Sequence, residues 1–99
     1  MSKVMGKRPS MALYETILKL KDLDECYRFF EDLCTVSELR AMEQRFDVAV
    51  LLEKGMIYND ILERTGASSA TISRVNRSLN YSTAGGYKQV FARGLPEDK

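Results

Sequence analysis

The sequence predicts an all-α fold, and three observations carry that expectation. From Met11 onward, apolar residues recur at spacings of three and four, the period of one helical face. Helix punctuation divides the pattern: Asp22 and Asp24 are N-cap candidates, Thr35 and Glu38 have capping-box spacing, and Gly55 offers a left-handed stop. Finally, ILERTGASSATISRVNRSL, residues 61–79, reads as two short helices joined at Gly66.

The elements follow in order. Residues 1–10, MSKVMGKRPS, mix basic residues with Gly6 and Pro9, have no apolar period and are expected to be a flexible basic arm. Residues 11–99 are expected to form a single helical domain. Its first helix carries Leu13, Ile17 and Leu20, with Tyr14 and Leu18 widening the stripe. A second carries Tyr27, Phe29, Phe30 and Leu33, and adjacent bulky aromatics imply packing on more than one neighbour. A long helix between Thr35 and Gly55 carries Leu39, Met42, Phe46, Ala49, Val50 and Leu52 over about five turns at ~3.6 residues per turn. Stripes this broad exceed the needs of a small core, so residues 11–54 are expected to form the dimerisation helices of a homodimer. Tyr58–Thr65 and Ser68–Asn80 are the next two helices, a helix-turn-helix over 58–80. The C-terminal segment 81–99 opens with a Ser/Thr/Gly linker and predicts a last short helix near Tyr87–Arg93, docked through Val90 and Phe91.

Composition narrows the function classes. No signal-peptide pattern occurs and no apolar run approaches the ~18 residues of a membrane span, so a cytoplasmic protein that does not engage a membrane is expected. The chain has two cysteines, Cys26 and Cys34, and no histidine, which argues against a familiar zinc site and removes the commonest general base. Both cysteines read as packing or surface residues. No acid, base and nucleophile stand at readable spacing, so neither an enzyme nor a cofactor or metal is expected.

The formal net charge of +1 hides an asymmetry. Residues 1–63 hold nine basic and twelve acidic side chains, whereas residues 64–99 hold six basic and two acidic. No acidic residue lies between Arg64 and Pro96. Such an acid-free basic stretch suits a surface that faces nucleic acid.

The helix-turn-helix lies within it. A motif that reads DNA needs a supporting helix, a turn that exploits the conformational freedom of glycine, and a second helix held by a few apolar residues. Ile61 and Leu62 are expected to anchor the first helix, Gly66 to make the turn, Ala67 to pack beneath it, and Ile72, Val75 and Leu79 to fix the second. The opposite side is then Ala70, Ser73, Arg74 and Arg77, flanked by Thr71 and Ser78. Short residues permit close approach to a groove, hydroxyls can serve phosphates or base edges, and arginine can pair with guanine. Ser68 or Ser69 caps the helix. The candidate double-stranded-DNA contacts are thus Ser68, Ser69, Ala70, Thr71, Ser73, Arg74 and Arg77. The competing reading is a helical protein–protein interaction module in which the same motif serves only packing.

LLEKGMIYNDILERTGASSATISRVNRSL resembles the operator-reading half of the bacterial Trp repressor, most strongly in GASSATISRVNRSL. The whole chain is similar to the YerC/YecD-type branch of the Trp repressor-like family. The resemblance implies an intertwined all-helical homodimer, a transcriptional repressor that reads a palindromic operator with half-sites one helical turn, ~34 Å, apart. It further implies an effector pocket at Arg74 and Ser78, with a second arginine position falling on Gln44 or Arg45. At Val75 the chain departs from the repressor, which has glycine there. A branched side chain takes room that the ligand needs, so tryptophan is not expected to be the effector.

Overall fold

The computed structural model describes residues 9–97, and these form six helices and no strand. They are α1 (Met11–Ile17), α2 (Leu23–Leu33), α3 (Val36–Glu53), α4 (Tyr58–Thr65), α5 (Ser69–Tyr81) and α6 (Gly86–Phe91). The expected basic arm lies outside the described residues except for Pro9 and Ser10, both exposed. The chain divides into two compact units, Met1–Val36 and Ser37–Lys99.

In the first unit, α1 ends before the stripe that predicts it does. Beyond Ile17 the backbone tightens, with Lys19 N–H donating to Thr16 O and Leu20 N–H to Ile17 O, so Leu20 lies outside the helix. At the start of α2, two reciprocal hydrogen bonds satisfy otherwise orphaned donors: Glu25 N–H donates to Asp22 Oδ1 at 2.8 Å, and Lys21 N–H donates to Glu25 Oε1 at 2.9 Å. Asp22, rather than Asp24, is therefore the cap. Neither α1 nor α2 contains a buried residue. Leu13, Ile17, Phe29 and Phe30 are half-buried, the two phenylalanine rings meeting edge to face at 5.6 Å, whereas Tyr14, Leu18, Leu23, Tyr27 and Leu33 are exposed.

The second unit holds the core. Val48, Ala49, Val50 and Leu51 are all buried, and four consecutive residues cover every side of a helix, so this end of α3 is enclosed all round. Against them pack Ile61 of α4, Ala67 of the turn, Ile72, Val75 and Leu79 of α5, and Phe91 of α6. The one-sided stripe expected for α3 is corrected accordingly: Val48 and Leu51 join the core, and Met42 and Phe46 remain exposed. The helix stops at Gly55, whose φ of +90° lets its N–H reach Leu52 O while Met56 N–H reaches Leu51 O. Met56 then packs on the core.

At the C-terminal end Phe91 docks as expected, stacking on Tyr87 at 5.7 Å and meeting Phe46 at 6.0 Å. Val90 does not dock; it is 53% exposed. Neighbouring residues on a helix point about 100° apart, so a single docking face of so short a helix accepts only one of the pair. Lys88 reinforces the attachment with an ion pair to Glu53 at 2.9 Å.

Candidate nucleic-acid interface

The interface is built around the turn between α4 and α5. Gly66 terminates α4 with φ +74°, and its N–H donates to Leu62 O at 2.9 Å. The Thr65 hydroxyl donates to Ile61 O at 2.8 Å and accepts from Ala67 N–H at 3.1 Å, which directs the chain toward the core at Ala67. From α3, the Gln44 amide donates to Thr65 O at 3.1 Å. The Thr65 hydroxyl and carbonyl and the Gly66 and Ala67 N–H groups thus have partners, and the turn is held from two sides.

Ser68 caps α5. Its hydroxyl oxygen accepts from Thr71 N–H at 3.1 Å and donates to Thr71 Oγ1 at the same distance. Ile72, Val75 and Leu79 are buried along one face, as their spacing predicts. The expected pairing of Ile61 with Leu62 is corrected: Ile61 is buried but Leu62 is 42% exposed, because one face of α4 can meet the core and Leu62 lies about 100° around from it.

Among the seven predicted DNA contacts, Ser68 and Thr71 are engaged in the cap, and Thr71 and Ser73 are half-buried. Ser69, Ala70, Arg74 and Arg77 are exposed. Neither arginine has an ion pair or hydrogen bond among the described residues. Two guanidinium groups therefore stand on the outer side of a capped helix with their donors open to a ligand.

The predicted effector residues are distributed differently. Gln44 is bound to the turn, Arg45 and Ser78 are exposed, and Val75 is only 2% exposed within the core. Two clefts of about 350 Å³ each open nearby, one against Phe46, Asp47 and Thr65 and the other against Met56, Asp60 and Glu63. Neither is lined by Gln44, Arg45, Arg74, Val75 or Ser78. Among the described residues there is no cluster of side chains suited to a metal ion and no helix long and apolar enough to cross a membrane.

A flank of α5, beside its buried face, carries a further pair, the half-buried Asn76 and the exposed Asn80. Asn80 Nδ2 donates to Asn76 Oδ1 at 2.7 Å, joining residues one helical turn apart. Their spacing of four was the available signal. The helix also runs one residue further than predicted, which places Tyr81 on it.

Comparison with known proteins agrees with this architecture. A family model described as Trp repressor protein matches residues 10–95. YerC of Bacillus subtilis (strain 168) is 54% identical over 79 residues, covering 80% of this chain and 75% of that protein. A TrpR-like protein from Eubacterium eligens ATCC 27750 superposes with a TM-score of 0.82 at 52% identity, covering 93% of this chain and 99% of the other. A candidate Trp repressor from Staphylococcus aureus gives the same TM-score, 0.82, at 37% identity over 99% of this chain and 100% of its own. The chain belongs to the Trp repressor family, whose members are in general DNA-binding regulators.

Proposed function

We propose that this protein is a cytoplasmic, sequence-specific DNA-binding transcriptional repressor that acts as a homodimer. Each subunit sets the N-terminal turns of α5 in the major groove, with Ser69, Ala70, Ser73, Arg74 and Arg77 toward the DNA and Ser68 and Thr71 at the phosphate rim. The observation that carries this reading is the placement of Arg74 and Arg77, exposed and unpaired among the described residues, opposite the buried Ile72, Val75 and Leu79. The helix N-terminus adds partial positive charge toward a phosphate.

The dimer is supported by the first unit. The two helices bury no residue within one chain and leave Met11, Tyr14, Leu18, Leu23, Tyr27 and Leu33 exposed in and beside them, an excess of apolar surface that a partner subunit would cover. A two-fold dimer would present two α5 helices to a palindromic site.

Tryptophan is not assigned as effector. Val75 supports this, because its side chain is packed into the core at the position where the repressor has glycine.

Selection of binding sites from a random duplex library at physiological salt, in parallel arms with and without tryptophan, tests the reading. Enrichment of one palindromic site in both arms is the expected result. Enrichment only with tryptophan would overturn the effector reading, and no enrichment in either arm would favour the protein-interaction alternative.

A further inference from the structure

The outward ridge of α5 continues past the arginines. On a helical wheel Ala70, Arg77 and Tyr81 lie within about 40° of one another, on the side opposite Ile72, Val75 and Leu79. Tyr81 is 77% exposed and has no hydrogen-bond or ring partner among the described residues. That is a large exposure for a residue whose ring ordinarily buries most of its area. The chain turns away immediately after it: Ser82 is extended at φ −74° and ψ 139°, and its hydroxyl accepts from Ala84 N–H at 3.0 Å. The neighbouring Asn80 is tied back to Asn76. The tyrosine is left projecting from the end of the helix.

We propose that Tyr81 is a phosphate-anchoring residue of the DNA-binding surface, its phenolic O–H donating to a backbone phosphate at the rim of the groove that receives α5. This rests on the DNA-binding reading above. Ala70 and Tyr81 are separated by about 16 Å along the helix axis at ~1.5 Å per residue. The major groove is ~12 Å wide, so a helix whose N-terminal turns enter it carries its C-terminal end out over the sugar-phosphate backbone. Tyrosine donates to phosphate without carrying charge, so it fixes register and depth without releasing a counterion. That property separates it from Arg74 and Arg77.

The full-length Tyr81→Phe variant, which removes the hydroxyl and keeps the ring, tests the assignment beside wild type and Tyr81→Ala. Affinities are measured across a salt series on the selected duplex and on a scrambled duplex. Tyr81→Phe is expected to bind about fivefold more weakly on both duplexes, the loss of one hydrogen bond, with an unchanged slope of log affinity against log salt and an unchanged thermal melt. Tyr81→Ala is expected to lose at least as much. Equal affinity of Tyr81→Phe and wild type, or a loss confined to the selected duplex, would overturn the phosphate assignment while leaving the DNA-binding reading intact. Failure of wild type to bind either duplex would overturn that reading itself.

Discussion

Gln44 and Thr65 are joined by a hydrogen bond of 3.1 Å from the Gln44 amide to the Thr65 carbonyl, which ties the long helix to the last residue before the turn. Helix C-terminal carbonyls need partners, and this one draws its partner from 21 residues away in sequence. Replacing Gln44 with Ala removes the donor from a half-buried site and is expected to destabilise the fold by about 1 kcal/mol. Chemical denaturation at fixed protein concentration checks this. A change below a few tenths of a kcal/mol would show that water replaces the amide.

Gly66 makes a separable contribution to the same turn. A methyl group built on it meets nothing within 4 Å, so space does not require glycine; its φ of +74° does. Gly66→Ala is expected to cost about 1–2 kcal/mol through backbone strain. A shift of the denaturation midpoint without a change of slope is the expected record. If Gly66→Ala were neutral, another turn conformation would be accessible.

How far these features could be read beforehand depends on how one-sided each helix is. Helix α5 has a single buried face, so the spacing of Ile72, Val75 and Leu79 identified its core contacts and its outer side. Helix α3 is enclosed where Val48–Leu51 lie, and a one-stripe reading cannot represent burial on every side. Leu62 and Val90 depart from expectation for a common reason: each adjoins a core residue and matches it in hydrophobicity, but a helix separates their directions. The structural role of Gln44 is not legible in the sequence, because a bond spanning 21 residues leaves no local pattern.

Val75 provides a test of effector choice. Substituting glycine removes buried methyl groups and adds backbone freedom within a helix, so Val75→Gly is expected to destabilise by about 2–4 kcal/mol. If the side chain also excludes an indole, tryptophan will raise the melting temperature of Val75→Gly and leave that of wild type unchanged. Stabilisation of wild type by millimolar tryptophan would refute the exclusion.

Arg77 provides the corresponding test at the DNA. As a base-reading residue, its replacement by Ala is expected to cost about 1–3 kcal/mol on the preferred site and to relax selection at one position. Equal loss on all sequences, with the salt slope reduced by about one, would make Arg77 a phosphate contact. Unchanged binding would place a different surface against DNA.

Leu18 and Leu23, almost fully exposed within one chain, lead to the prediction about assembly. If the proposed dimer covers the apolar surface of α2 and of α1 with its C-cap Leu18, a carboxylate introduced there must give up its hydration on association, whereas in an isolated chain it remains in water. Leu18→Glu and Leu23→Glu together are therefore expected to leave α-helix content within each chain largely intact and to weaken self-association at least tenfold. Sedimentation equilibrium across a concentration series reads this directly. A monomeric wild type at micromolar concentration would rule out the stable dimer, while a dimer indifferent to both substitutions would move its interface elsewhere. Because two half-sites must be engaged together to benefit from a common tether, the dissociated variant should also bind a palindrome no more tightly than a half-site.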